Sequence, residues 1–366
     1  MAWFTLFAAV VSVCARSWEA PVIDLSCFGD HPGDKCEDEA SKLLGAASES
    51  GGGAFVLRGH GVDDDFIDGV LSSARRLFTD VDASEKERLS VSSGGLTRGY
   101  VLFGGESGSD LKEMKEGFSY GFEWPKTHRA FANKLQGPNV WPAKIPAEDQ
   151  HTLVKWFNEA TRLGLALCKA LAHVSGQEAL SKNCGSDGAS ISLQRIYRYF
   201  AEEGDDRSRG KTIGSSPHTD WGFITIVLQQ EGVDGLQASD TQRSSRRERL
   251  HRLPNDRASR VVVNVGDFAS IMSGGKFYSP VHRVMPPKEA PERISLVHFY
   301  YPNYNTTLEG LLHSDAAKRT SLVADQKEGG ASGWIEDDGH IMAFGDFISA
   351  KWSQVHRPVP RPDEEL

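Results

Sequence analysis

Up to about residue 175 the apolar positions of this chain recur mainly at three- and four-residue spacing, whereas beyond Ile191 they fall in short runs broken by Gly, Pro, Asp and Asn. The first pattern predicts helices and the second predicts strands. Pro21 to Leu25 reads as a short strand, and Cys36 to Ser50 as a helix with acidic residues in its first turn, where they complement the helix dipole. Gly51-Gly52-Gly53 ends that helix. Ala54 to Leu57 then reads as a strand closed by the turn Gly59-His60-Gly61. Asp63 to Phe78 is predicted as a second amphipathic helix burying Phe66, Val70, Leu71, Leu77 and Phe78. A third runs from Ala147 to Val174 with Leu153, Val154, Phe157, Ala160, Leu163, Leu167 and Leu171 on one side. The glycine-rich stretch from Arg98 to Pro125, charged in its middle at Asp110 to Gly117, is expected to pack over one mouth of the strand-rich region.

After Ile191 helices are expected largely to stop. The β-like runs are Leu193 to Phe200, Phe223 to Leu228, Leu236 to Ala238, Arg260 to Val265, Val281 to Val284 and Ile294 to Tyr300. Several short strands at close spacing point to a sandwich or barrel. The chain has no internal repeat and no linker that would split it cleanly.

Composition alters this picture little. With 366 residues, 39% hydrophobic and 25% charged, the chain is an ordinary globular sequence able to bury a sizeable core. A formal net charge of -9 argues against a nucleic-acid partner, which needs a concentrated basic surface. The short basic run Arg243 to Arg249, within the longer stretch Asp240 to Arg257, reads as a solvated loop between strands. Five cysteines show no C-x-x-C pair, and isolated thiols are the expectation, although Cys27 and Cys36 would bridge in an oxidising compartment. Trp3 to Val13 is an apolar run of signal-peptide length, followed by small residues suited to cleavage, though no Lys or Arg precedes it. Residues 1–17 are therefore expected to be a secretory or organellar targeting segment, the protein otherwise being cytoplasmic. No stretch reaches membrane-span length.

Candidate chemistry gathers at Ser216-Pro217-His218-Thr219-Asp220-Trp221. On an extended backbone His218 and Asp220 point to one face, because side chains alternate with period two. A buried carboxylate is costly unless it meets a cation. His282, in the β-rich stretch Ser279 to Val284, is the leading third ligand, because Asn264 to Asp267 reads as a tight turn after a β run and Gly274-Gly275 as a second turn before the chain returns through His282. His298, His251 and His60 are the runners-up. Two imidazoles and one carboxylate that leave positions open are the ligand set of non-haem Fe(II) oxygenases. Such chemistry draws electrons from a co-substrate acid, and an arginine holds a carboxylate well through its planar fork. Arg293 offers that fork with the Ser295 hydroxyl on the same strand face. Tyr199 could add a hydrogen bond from a neighbouring strand, as could Tyr197, two residues away on the same face. Phe118, Tyr120, Phe223, Phe299 and Tyr301 are candidate substrate contacts, though aromatics in this setting more often belong to the core.

Together these segments resemble the 2-oxoglutarate/Fe(II)-dependent dioxygenases of the isopenicillin N synthase-like family. The resemblance rests on Pro21-Val-Ile-Asp-Leu25, Gly53-Ala-Phe-Val-Leu-Arg-Gly-His-Gly61, Arg98-Gly-Tyr100, Asp110-Leu-Lys-Glu113 and Asn139-Val-Trp-Pro142. It continues through His218-Thr-Asp-Trp-Gly222, Gly235-Leu-Gln237, Val263-Asn-Val-Gly-Asp267, His282-Arg-Val284 and Arg293-Ile-Ser295. It implies an α+β chain with a mainly β core, a double-stranded β-helix (jelly-roll) flanked by N-terminal helices. The expected divisions are an N-terminal mixed region over residues 18–180, the β-helix over 190–305 and a helical extension over 306–366. It further implies Fe(II) on His218, Asp220 and His282, and 2-oxoglutarate on Arg293, Ser295 and Tyr199, with ascorbate as a reductant. The usual proline after the tyrosine is Phe200 here. The implied reaction oxidises a small organic molecule, most simply by hydroxylation, while 2-oxoglutarate and O2 become succinate and CO2. The alternatives are an oxidase of the same family that dispenses with 2-oxoglutarate, or a metal-free β-scaffold acting as a binding module.

Overall fold

Fourteen strands and seven helices make up the described part of the computed structural model, which covers residues 18–28, 36–91, 97–105, 111–125, 127–128, 131–133, 135–185, 190–202, 212–239, 250–309 and 341–355. The strands are β1 Val22–Asp24, β2 Ala54–Arg58, β3 Gly99–Val101, β4 Lys112–Glu113, β5 Lys115–Gly121, β6 Leu193–Phe200 and β7 Thr212–Ile213. Then come β8 Ser215–His218, β9 Ile224–Gln229, β10 Leu236–Ser239, β11 Leu250–Arg252, β12 Val261–Val265, β13 His282–Val284 and β14 Glu292–Tyr300. The helices are α1 Cys36–Ala47, α2 Asp64–Thr79, α3 Ala83–Arg88, α4 Ala147–Ser175, α5 Glu178–Lys182, α6 Asp267–Met272 and α7 Phe344–Val355. The expected targeting segment, the basic run 243–249 and most of the expected C-terminal extension lie outside the described residues.

Two sheets face each other. The larger has the order β1-β2-β12-β9-β14-β6-β5-β3 and the smaller the order β11-β10-β13-β8. Their inner faces meet through Val56, Tyr197, Tyr199, Val227, Leu236, Ala238, Val262 and Val284, giving the jelly-roll core. On its other face the larger sheet is covered by helices, chiefly α4, through Leu153, Phe157, Ala160, Leu163, Leu167, Phe118, Tyr120, Ile226 and Leu296. Gly164 allows this close contact, since a Cβ there would fall 2.5 Å from the Tyr300 ring. Residues of β14 and β6 therefore alternate between a helix-covered side and a cavity side, and that alternation decides which side chains reach the site.

Helix starts follow local chemistry. The Asp63 carboxylate accepts the amides of Asp65 (2.9 Å) and Phe66 (3.1 Å), capping α2 one residue inside the predicted boundary. α4 matches its prediction to within one residue and ends on Gly176, whose φ of 66° suits a glycine.

Three expectations are overturned. The stretch from Arg98 to Pro125 does not merely pack over a mouth: β5 is an interior strand of the larger sheet, between β3 and β6. Its charges are tolerated because they pair with a helix and with neighbouring strands. Glu116 meets Lys86 (2.9 Å) and Arg198 (3.1 Å), and Arg198 continues to Glu292 (2.6 Å). Next, Asn264 to Asp267 is not a tight turn before a returning strand, because Gly266 opens helix α6. A short helix, α6, also interrupts the strand-rich region after Ile191. Finally, the cysteines are not isolated: Cys27 pairs with Cys36 and Cys168 with Cys184. Neither spacing is one that a C-x-x-C search detects, and only the folding of α4 against its following corner brings Cys184 to Cys168.

Candidate active site

Strands β8 and β13 are antiparallel neighbours, and His218 lies directly opposite His282 in their register, with ring centroids 4.3 Å apart. Each ring is oriented in the same way. His218 Nδ1 lies 2.7 Å from the Ser216 carbonyl and His282 Nδ1 3.1 Å from the Pro280 carbonyl. A carbonyl only accepts, so both Nδ1 atoms carry the proton and both Nε2 atoms present a lone pair. Those Nε2 atoms lie 3.7 and 3.6 Å from the same oxygen, Oδ1 of Asp220. Among the described residues, this trio alone gathers three metal-competent groups, within 4.8 Å of one another.

Asp220 is buried, and burial alone would raise its pKa. The two histidines and hydrogen bonds from Asn264 and Thr225 outweigh that, so its pKa falls below the ordinary carboxylate value. The Asn264 amide donates to Oδ2 at 2.8 Å, leaving Oδ1 for the space between the imidazoles. Burial, and then the neighbouring His282, push His218 down to about 4, so the ring is neutral near pH 7. Behind the carboxylate the chain is clamped. The amides of Asp267 and Phe268 donate to the carbonyls of Asp220 (2.7 Å) and Gly222 (3.1 Å), and the Thr219 hydroxyl donates to Asp267 at 2.9 Å. A Cβ on Gly266 would lie 2.2 Å from the Gly222 carbonyl, so this crossing requires a glycine.

From the trio a cavity of about 220 Å³ extends between the sheets. Arg293, Ser295, Val297 and Phe299 enter it from β14, and Arg195, Tyr197 and Tyr199 from the paired strand β6. Arg293 is 1% exposed, and its Nη2 donates to Gln229 at 3.1 Å. Its Nε and Nη1 have no hydrogen-bond partner among the described residues. Such a guanidinium is expensive to bury, which lowers its pKa, and it is matched in shape and charge to a carboxylate. Gly235 lets it lie flat, since a Cβ there would come 3.2 Å from its Cδ. The Tyr199 ring lies 5.4 Å from the guanidinium, and burial raises its hydroxyl to about 12, so it stays a protonated donor within reach of Ser295. The donor set and the unmatched cation therefore fit a ferrous ion and a diacid respectively.

The runner-up histidines fall elsewhere. His298 faces α4, against Phe157 (5.1 Å), because it belongs to the alternate face of β14. His251 is on β11 beside Trp18 (5.8 Å), and His60 accepts the Val62 amide at 3.1 Å in its turn. Of the aromatic candidates, Phe299 and Tyr301 line the cavity. Phe118, Tyr120 and Phe223 do not, since they are buried in the helix-side core and the Tyr120 hydroxyl donates to Leu153. Sequence reasoning missed Arg195, Lys115, Glu113 and Trp352. Glu113 accepts the Ser216 amide (2.8 Å) and pairs with Lys115 (2.8 Å), bracing the strand that ends at His218. Trp352 on α7 lies 4.2 Å from the Arg195 guanidinium and donates to the Tyr301 hydroxyl at 3.0 Å, roofing the cavity. Period-two counting back from Tyr199 would have flagged Arg195, whereas nothing local marks Trp352.

Residues 20–144 match the family model described as the N-terminal region of non-haem dioxygenases in morphine synthesis, and residues 191–302 match the 2OG-Fe(II) oxygenase superfamily. A Dictyostelium discoideum protein whose name places it among iron/ascorbate oxidoreductases is 30% identical over 92% of this chain and 94% of its own length. A 2-oxoglutarate-dependent dioxygenase of Penicillium crustosum is 30% identical over 77% of this chain and 84% of its own. A full-length Neurospora crassa protein solved in complex with alpha-KG shares the fold, with a TM-score of 0.69 at 20% identity over 91% of this chain and 96% of that one. This chain belongs to the 2-oxoglutarate/Fe(II) oxygenase superfamily, of the isopenicillin N synthase-like type. It is an Fe(II)- and 2-oxoglutarate-dependent dioxygenase, an oxidoreductase acting on small molecules with O2.

Proposed function

We propose that His218, Asp220 and His282 hold the ferrous ion, that Arg293, Ser295 and Tyr199 receive the distal carboxylate of 2-oxoglutarate, and that the enzyme hydroxylates a C–H bond of a small organic molecule. The observation carrying this reading is the buried Arg293 guanidinium, with two nitrogens unpartnered among the described residues, in the same cavity as three converging ligand atoms. A 2-oxoglutarate-independent oxidase would need another acid to match that cation, and a metal-free scaffold gives no role to three ligand atoms that converge on one point.

Iron bound there would supply the redox chemistry that couples decarboxylation of 2-oxoglutarate and reduction of O2 to substrate oxidation. The protein's own groups do the positioning. Ser216 and Pro280 fix the protons of the two imidazoles on Nδ1, and Asn264 fixes the carboxylate. Arg293 sets the orientation of the diacid through a two-pronged contact. Val297, Phe299 and Tyr301 give the rest of the cavity an apolar wall, and Trp352 covers it, restricting water. The prime substrate occupies the space beside Arg195 and Phe299, away from Arg293.

The test is succinate release from 2-oxoglutarate by the purified protein with Fe(II), ascorbate and O2, alongside Mn(II) binding measured by equilibrium dialysis. His218→Ala and Asp220→Ala are expected to lose both. Retention of tight metal binding in either variant overturns the ligand assignment.

A further inference from the structure

The loop that leaves β14 carries a modification motif that the oxygenase chemistry does not use. Asn305-Thr306-Thr307 is the one Asn-x-Ser/Thr triplet in the sequence, the acceptor pattern for N-linked oligosaccharide. Thr306 is turned inward: it is 7% exposed, its amide donates to the Asn303 carbonyl at 3.0 Å, and its hydroxyl donates to Asn183 at 2.7 Å. Asn305 and Thr307 on either side are exposed. The acceptor amide and the hydroxyl that completes the motif are thus both presented to solvent on a fixed turn. Residues 303–309 do not line the active-site cavity, so a bulky polar group here would leave its mouth open.

The same corner carries a second sign of the compartment. Asn303 donates to the Lys182 carbonyl (3.3 Å) and Thr306 to Asn183, so the turn packs on the segment that ends at Cys184. Cys184 is joined to Cys168 of α4, and Cys27 to Cys36 at the start of α1. Four of the five cysteines are therefore paired, and the fifth, Cys14, follows the apolar run Trp3 to Val13. Disulfides of this kind persist in oxidising compartments and are rare where glutathione keeps thiols reduced.

We infer that this protein folds in an oxidising, glycosylating compartment and that Asn305 carries an N-linked oligosaccharide. The donor is an oligosaccharide linked through diphosphate to a polyisoprenoid lipid. The Asn305 amide nitrogen bonds to C1 of the first sugar as the C–O bond to diphosphate breaks. The amide proton is released, the lipid diphosphate departs with the electron pair, and no oxidant is needed.

The experiment expresses the full chain, N-terminus unaltered, in insect cells. Wild type is expected to gain mobility on treatment with a glycosidase specific for Asn-linked glycans. Asn305→Gln and Thr307→Val should migrate at the treated position without treatment, whereas Thr307→Ser should keep the glycan. Mass spectrometry after alkylation in denaturant without reductant should show Cys27, Cys36, Cys168 and Cys184 unmodified. Asn305→Gln should retain succinate release, since the residue lies outside the cavity. Wild type insensitive to the glycosidase, or those four cysteines alkylated without reductant, overturns the inference.

Discussion

Asn264 grips Asp220 by the carboxylate oxygen that the two histidines leave alone, at 2.8 Å, so that Oδ1 is held between both Nε2 atoms. Removing such a supporting partner costs metal affinity by roughly 10- to 100-fold in comparable sites. Asn264→Ala is expected to weaken Mn(II) binding within that range while its circular dichroism stays that of wild type. Unchanged affinity would show that Thr225 and the backbone clamp hold Asp220 without it.

Arg293→Leu should raise the KM for 2-oxoglutarate more than about 100-fold, since it removes both prongs of the contact and hydrogen bonds to a charged group are each worth about 1.5–3 kcal/mol. Arg293→Lys should recover only part of this, because a point charge cannot make the two-pronged contact. Metal affinity should be unaffected in both. A KM for 2-oxoglutarate that Arg293→Leu leaves unchanged would move the diacid elsewhere in the cavity.

Much of this arrangement is legible in the chain itself. The His218-Thr219-Asp220 spacing and the alternation Arg293, Ser295 place those side chains on common faces by strand geometry alone, and α2 and α4 follow from their helical periodicity. Where reading fails, tertiary context has replaced local signal. β5 looks like loop because its inward positions are Lys115 and Gly117, facing a polar cavity and the Tyr197 ring, and because Glu116 pairs with charges from α3 and β6. Phe118 and Tyr120 read as substrate contacts for the same reason, since their strand leaves no local pattern to show which side they face. Trp352 depends on α7 folding back over the sheet edge, which no local pattern encodes.

Trp352→Ala should separate substrate handling from co-substrate binding. The ring touches Arg195, Phe299 and Trp221 at the roof and leaves the Arg293 end alone. Binding of 2-oxoglutarate should persist, while turnover loses its stimulation by prime substrate and proceeds uncoupled. Loss of 2-oxoglutarate binding in this variant would mean that α7 supports the whole cavity.

His298 gives the fold a pH dependence of predictable sign. It is fully buried against Phe157, with Thr161 Oγ1 3.3 Å from its Nε2, and burial pushes its pKa down to about 3 from 6.5. The unfolded chain binds this proton at higher pH than the folded one. Stability therefore falls as pH drops below about 6.5, by up to about 1.4 kcal/mol per unit from this group. Urea midpoints between pH 6.5 and 4.5 should decline less steeply for His298→Gln. Parallel declines would show that other groups govern acid sensitivity.

The double variant Cys168→Ala/Cys184→Ala should unfold more easily by about 3 kcal/mol, the value for a closed loop of this length, given the separation of 16 residues. Chemical denaturation of the oxidised proteins measures it, and an unchanged midpoint would show that core packing around α4 already supplies the restraint.

The crossing of Gly266 over Gly222 is tight at the back of the site, since even a methyl group on Gly266 would meet the Gly222 and Asp220 carbonyls. The rear is a wall and not a hinge. Access for ion, diacid, gas and product is then set at the solvent-open edge beside Pro217 and His218, and the order of arrival and departure is a property of that edge.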